Sequence, residues 1–458
     1  MLKIVIPSNN LQERKYLLDI VFTQFLRIPY TCTISSKNIN EYQIYKGEKK
    51  IILKDAFFSS FSQDLDYLNM DSIPKRIHYF SHSLLLESQL PILFGRGEIE
   101  IKNKTIISHI DIFAGIFFML TRWEEYVNPS RDQHQRFQAK DSLAYQHGFL
   151  DRPIVNEYLE FLWNMFEALE FNEKRYKHTF SMKLTHDVDE ILAYPNVKKI
   201  LKRVVGDVVV RKSLPLAYEK LCDYTAMIVK NRKDPYDTFE EIMDLSEKFN
   251  LKFHFFFMSG GTTRYDNYYD VQSPSVKKLM DKIQARGHYI GLHPSYNAYN
   301  NKQQFKLEKD TLEFTSKSKI VSGREHYLRF EVPTTWQIWE ESEMLWCSNM
   351  AYADATGFRA GTCYAYTPFN ILSREQLTIK ERPLSIMEVT LMGETIDDVD
   401  FENEINKYLN IVKKYAGEFV FLWHNSNFKV YENFSRSKMK DYSSVYQKTL
   451  QKATGLEV

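Results

Sequence analysis

The sequence predicts an α/β fold: an incomplete (β/α)7 barrel over residues 176–458, preceded by a separate N-terminal α+β domain over residues 1–175. Three observations predict it. After residue 175, short apolar runs alternate with amphipathic helical stretches, which implies parallel strands joined by right-handed crossovers. Most of those runs end in a charged or polar cluster, as barrel strands do at their carboxyl ends. The chain also has 458 residues, enough for two or three domains at about 100–200 residues each.

The N-terminal part mixes short strand-like runs (2–6, 51–53, 99–101) with amphipathic stretches. Residues 111–126 read as a mostly buried helix with a polar end. Pro153 opens another helix with Ile154, Tyr158, Leu159, Leu162 and Phe166 at helical spacing. The barrel strands are expected at 179–184, 251–258, 289–292, 325–330, 353–358, 385–391 and 419–423. Between them, 274–286 has Pro at its start, Val276, Leu279, Met280 and Ile283 on one face, and Gly287 as the stop. Residues 402–415 repeat the pattern with Ile405, Tyr408, Leu409 and Val412.

Composition narrows the function classes. Hydrophobic residues make up 44% and charged residues 26%, ordinary for a globular protein. The 15% aromatic content serves cores and sugar sites alike. A net charge of +1 removes any charge-based case for nucleic acid. Cys32, Cys222, Cys347 and Cys363 have neither disulfide nor zinc spacing. The first ten residues lack the apolar core of a signal peptide, so a cytoplasmic location is expected. The longest apolar run, 112–120, is far short of the ~20 residues of a transmembrane segment.

Chemistry gathers at the strand ends. The first strand runs into Thr185-His186-Asp187-Val188-Asp189, the third into His293-Pro294-Ser295-Tyr296, and the last into Trp423-His424-Asn425. The fourth carries Arg324, His326 and Arg329, and the fifth meets Arg359. Each piece alone has a structural reading: a helix cap, a core histidine, an ion pair. Together they supply a divalent-metal site, zinc first among the candidates, with three protein ligands and an open position. A second carboxylate stands ready to take a proton from water, and a histidine to protonate the leaving group. Asp187, Asp189, His293, His326 and His424 are that set.

The order of these motifs resembles the polysaccharide deacetylases of carbohydrate esterase family 4, the NodB-homology fold, over about residues 178–430. The branch it looks closest to carries His-Asp-Val-Asp and an extra N-terminal domain. The family's first motif is Thr-Phe-Asp-Asp, a base followed by a metal ligand. The resemblance implies Asp187 as base and Asp189 as ligand, with an exchange of roles as the alternative. The second motif pairs two metal-binding histidines four residues apart; His293 fits the first, but Asn297 stands at the second. The segment containing Arg359 resembles the arginine motif that orients the base. Glu388 falls in the following motif, and Leu422-Trp423-His424 implies His424 as general acid.

Counting then selects the third metal ligand. His288 precedes its strand, His254 sits in an apolar strand, alternation turns His186 away from Asp187, and His424 is wanted as the acid. His326 remains, with a substrate contact as its alternative role. The expected activity is metal-dependent N-deacetylation of an acetamido sugar, a hydrolysis of a linear amide C–N bond on a carbohydrate substrate. The alternatives are hydrolysis of a non-sugar amide and a decayed carbohydrate-binding protein; sugar, carrier and oligomeric state are not written in these motifs. The long 190–235 connection reads as a lid or a specificity element, and its basic run (Lys198, Lys199, Lys202, Arg203, Arg211, Lys212) as a solvated face or a contact for an anionic carrier. In the N-terminal part, Arg122, Glu124, Glu125, Asp132, His134 and Arg136 form one dense polar cluster, read as surface or interdomain ion pairs.

Overall fold

Two sheets share one apolar core in the computed structural model, which describes residues 1–456 except 62, 267, 268, 395, 396 and 432–438. The N-terminal sheet is mixed. Its six strands lie in the order Tyr30–Ile34, Leu2–Ile6, Glu41–Lys46, Lys49–Lys54, Thr105–Ile110, Gly95–Lys102. The helix Ile112–Thr121 is buried along its whole length. It is started by Asp111, whose Oδ1 accepts from the Ala114 N–H at 3.0 Å, and stopped by Arg122 at φ 54. The helix Ile154–Ala168 follows Pro153.

The C-terminal sheet has eight parallel strands. In spatial order they are Lys380–Glu381, Trp346–Cys347, Ser322–Gly323, Tyr289–Leu292, Phe253–Phe257, Ser181–Val188, Glu418–Leu422 and Leu384–Met387. Read as a ring, this is chain order with a single break, between the two edge strands Lys380–Glu381 and Leu384–Met387. The sheet is therefore a curled, incomplete barrel. Phe253–Phe257 is buried at every residue, because side chains cover both of its faces. On Ser181–Val188, alternation divides the side chains between the two faces. His186 packs outward against Phe253, Phe255 and Tyr446, while Thr185 and Asp187 turn inward to Arg324. The helix Pro274–Ala285 buries Val276, Met280 and Ile283 and stops before Gly287, which takes φ +77.

Three strand expectations are corrected. The sheet has eight strands, not seven. Residues 353–358 form bends, and the place expected for them is taken by Trp346–Cys347. Asp354 is tied to the N-terminal part instead, where its carboxylate accepts from the Ala139 N–H at 3.1 Å. The fourth strand ends at Gly323; His326–Leu328 is a single 3-10 turn with Tyr327 at φ 62 and Leu328 at φ 53. There the Glu325 N–H donates to the Asn349 side chain (2.9 Å) instead of to a strand neighbour. After Met387 the chain turns at once into a helix, Glu388–Glu394.

One continuous hydrophobic cluster runs from Leu2 through both sheets to Ala453. Polar contacts cross the same seam. Arg374 holds Glu13 with two bonds of 2.8 Å, and the Tyr16 hydroxyl donates to the Thr367 carbonyl.

Candidate functional site

The carboxyl ends of the barrel strands bring Asp187, Asp189, His293, His326 and His424 onto one cavity of about 470 Å³. Asp189 is at its centre. Its Oδ1 lies 3.2 Å from His293 Nε2 and 3.8 Å from His326 Nε2; its Oδ2 lies 3.8 Å from His424 Nε2. Asp189, His293 and His326 each offer a ligand atom within 4.8 Å of the others'.

Each side chain is set by its backbone neighbours. The carbonyl of Arg324 can only accept, so His293 Nδ1 donates to it at 2.7 Å and Nε2 faces the aspartates. His326 Nδ1 is buried without a hydrogen-bond partner among the described residues, and Asp189 Oδ1 has the His293 Nε2 contact at 3.2 Å. Burial pushes the His326 imidazole down to about 4, against the pull of Asp189, so the ring is neutral at neutral pH. For Asp189 burial works upward, yet the three histidines hold the carboxylate well below its usual range. For His293 burial works downward, but Asp187 and Asp189 raise it.

His424 has its own carboxylate. Glu388, wholly buried, lies 2.7 Å from His424 Nδ1 and also accepts from the His424 backbone N–H at 2.8 Å. Burial alone would lower this imidazole; Glu388, backed by Asp189, lifts it to about 10. Nε2 therefore carries a proton toward Asp189 and the cavity. The sequence marked Glu388 only by its place in the motif that follows the arginine segment, inside an expected strand, with nothing to link it to His424.

Arg359 is corrected. It is absent from the cavity lining and is paired with Glu125 at 2.9 and 2.5 Å, with a further bond to the Ala351 carbonyl. Asp187 is held instead by Arg324, whose Nη1 donates to Oδ1 at 2.8 Å while Nη2 donates to Thr185 Oγ1 and Ser348 Oγ. The reason is the lost strand: residues 353–358 leave the sheet, while Arg324 follows the adjacent strand end at Gly323. Asn297 is engaged elsewhere, accepting from Arg329 at 3.1 Å.

The cavity walls come from several segments. Tyr236, Tyr265 and Tyr327 supply aromatic surface, and Met387 and Val389 apolar surface. Glu325 is buried, which raises its pKa well above the ordinary value; the Trp339 indole N–H donates to it at 2.6 Å. Arg136 reaches the cavity from the N-terminal part, anchored on Asp132 (2.8 Å) and on the Tyr327 carbonyl (3.0 Å). Of the polar cluster in that part, Arg136 lines the cavity, while Arg122, Glu124 and Glu125 form a buried ion-pair group.

Residues 2–170 match the model of a family of unknown function, DUF7033. No curated protein matches the chain. Among solved structures, a putative polysaccharide deacetylase from Mycobacterium smegmatis aligns over 61% of this chain and 85% of its own, at 11% identity and a TM-score of 0.38. A mutant of a CE4 family pseudoenzyme with restored enzymatic activity aligns over 61% and 64%, at 11% identity and a TM-score of 0.29. Overlaps this loose leave the reading of the site to its own residues.

Proposed function

We propose that the protein is a metal-dependent hydrolase that removes the acetyl group from an acetamido sugar. One observation carries the reading: a carboxylate and two imidazoles converge at Asp189, His293 and His326, with a second carboxylate and a protonated histidine beside them on the same cavity. The donor set fits a divalent ion such as zinc. One buried atom in it, His326 Nδ1, lacks a hydrogen-bond partner among the described residues, and the Arg324 carbonyl orients His293 as outer-shell acceptors orient metal-binding imidazoles. When bound, such an ion supplies Lewis acidity toward an acyl carbonyl and lowers the pKa of water.

The chain's own groups do the rest. Asp187, fixed by Arg324 through Oδ1, takes a proton from the attacking water at Oδ2. His424, held by Glu388 at Nδ1, presents its Nε2–H to the departing nitrogen. Water oxygen joins the acyl carbon, the C–N bond breaks, and the amine leaves with the His424 proton while acetate is released. The tyrosines offer flat apolar surface to a sugar ring. On this reading residues 176–458 carry the reaction, and residues 1–175 contribute the Arg136 edge of the cavity.

The test is acetate release from N-acetylated oligosaccharides by zinc-loaded protein. Asp187→Asn should keep the metal and lose about 10²–10⁴-fold in rate, the usual worth of a general base. Stoichiometric metal binding without acetate release from any acetamido sugar would overturn the sugar reading.

A further inference from the structure

We propose that the helical hairpin between the first two barrel strands docks the protein onto an anionic bilayer surface. The hairpin consists of Val197–Val209 and Leu214–Val229. Its inner face is accounted for. Ile200 and Val204 pack with Tyr224 and Met227, and Asp207 pairs with Lys220 at 2.7 Å, so the two helices run antiparallel.

The outer face has no partner among the described residues. Eleven of the 29 exposed large hydrophobic side chains fall between residues 197 and 229. On the first helix Val197, Leu201, Val205 and Val208 recur at spacings of four, four and three; on the second Leu214, Tyr218, Leu221 and Ile228 recur at spacings of four, three and seven, with Val229 beside the last. These are stripes, not scatter. Successive residues turn by about 100°, so each stripe lies roughly a quarter turn from its helix's buried face, in the same rotational sense. In an antiparallel pair, equal rotations from the shared interface bring both stripes to one side of the hairpin. The result is an apolar strip with Tyr218 at 69% and Leu201 at 54% exposure.

Charge identifies the occupant. Residues 196–233 hold ten Lys or Arg against three acidic residues, in a chain whose net charge is only +1. Exposed Lys198 and Lys202 flank the first stripe, and exposed Lys212, Lys230, Arg232 and Lys233 lie at the hairpin's two ends. An apolar face bordered by cations is the pattern of a helix lying in the headgroup region of an anionic membrane. A second copy of this chain fits poorly, because pairing the stripes would bring two strongly positive hairpins together. No described helix is long and apolar enough to cross a bilayer, so the contact is with the surface.

The hairpin is also wired to the cavity. Glu190 and Tyr236, which bracket it in sequence, both line the cavity, and Arg203 on the first helix donates to both, at 2.6 and 3.2 Å. Docking would thus hold the cavity rim near the bilayer, where a membrane-attached glycan would be presented. This last consequence rests on the hydrolase reading; the docking does not.

The experiment is co-sedimentation of the full-length protein with vesicles of phosphatidylcholine alone or mixed with phosphatidylglycerol. Binding is expected to the mixed vesicles only, weakening as salt rises from about 0.1 to 1 M. Leu201→Glu/Val205→Glu and Lys198→Glu/Lys202→Glu should each reduce it at least tenfold, with unchanged circular dichroism and unchanged zinc content. Failure of the wild-type protein to bind mixed vesicles at low salt would overturn the proposal. So would equal binding by the variants, or a dimer that Leu201→Glu/Val205→Glu dissolves without any vesicle binding. Because no substrate is present, vesicle binding is scored whether or not the protein deacetylates anything.

Discussion

Asp187 is constrained from two sides: Arg324 holds its Oδ1 at 2.8 Å, and His293 Nε2 stands 3.9 Å from its Oδ2. A guanidinium grips a carboxylate and two hydroxyls at once, which an ammonium does not reproduce. Arg324→Lys should therefore leave the metal in place and lower kcat by about 10²-fold, the cost of a misplaced reacting group; single-turnover kinetics with metal analysis separates the two. His326→Ala removes one of three ligands, and bound zinc and activity should fall together. A variant that keeps one zinc per chain would make His326 a substrate contact. His186, on the other side of the same strand, carries a pH prediction. Burial depresses its imidazole to about 3, although the Trp423 carbonyl accepts from Nδ1. An ordinary histidine titrates near 6.5, so below that pH the unfolded chain binds a proton the folded chain refuses. Stability is full above about pH 6.5 and falls as pH drops toward 3. Between pH 7 and 5 this one group accounts for about 2 kcal/mol of loss. His186→Phe should shrink the difference between denaturant titrations at those two pH values by about that amount.

At the scale of elements, the short Ser322–Gly323 strand governs where Arg324 and His326 go. A Cβ on Gly323 would meet the Leu292 carbonyl oxygen at 1.9 Å, since the neighbouring strand approaches where only hydrogen fits. Gly323→Ala should cost at least about 1–3 kcal/mol, as overpacking does, and weaken zinc binding by spreading His293 and His326 apart. Denaturant melts and zinc titration of the same sample test both. Helices were legible because their signals are local. Pro274 and Gly287 punctuate one helix, and the apolar spacing of 402–415 marks most of Asp398–Lys414. The short strands were not. Two-residue strands such as Trp346–Cys347 have no period to read, and the apolar stretch 353–358 looks like a strand until its neighbours are known. Tyr327 and Leu328, both in the left-handed region, end a run that alternation alone would extend.

At the scale of the molecule, the seam between the N-terminal part and the barrel is itself a packed interior. Glu125 is held near 2 despite complete burial, because Arg359 and Arg122 flank it. Removing one partner of a buried ion pair strands the other charge. Glu125→Gln should therefore destabilise the whole protein by about 3–5 kcal/mol while leaving zinc affinity of the folded fraction unchanged. With one apolar cluster crossing the seam, calorimetry should record a single unfolding transition that moves as a unit in this variant. Two transitions, only one of them shifted, would mean that the seam does not couple the halves.

The sequence by itself determined what is local or periodic: the alternation of strand and helix, and the placement of acids and histidines at strand ends. It also determined the turning of His186 away from Asp187. Those follow from residue order, because periods of two and 3.6 dictate which side chains share a face. Which arginine meets Asp187 was decided only by tertiary structure. Arg359 read as the cation at the end of a strand and Arg324 as part of one, but in the structure only Arg324 follows a strand end, and Arg359 is claimed by Glu125, 234 residues away. The pairing of Glu388 with His424 and the arrival of Arg136 at the cavity are of the same kind. Contacts between distant segments depend on how whole elements pack, and no local pattern carries that information.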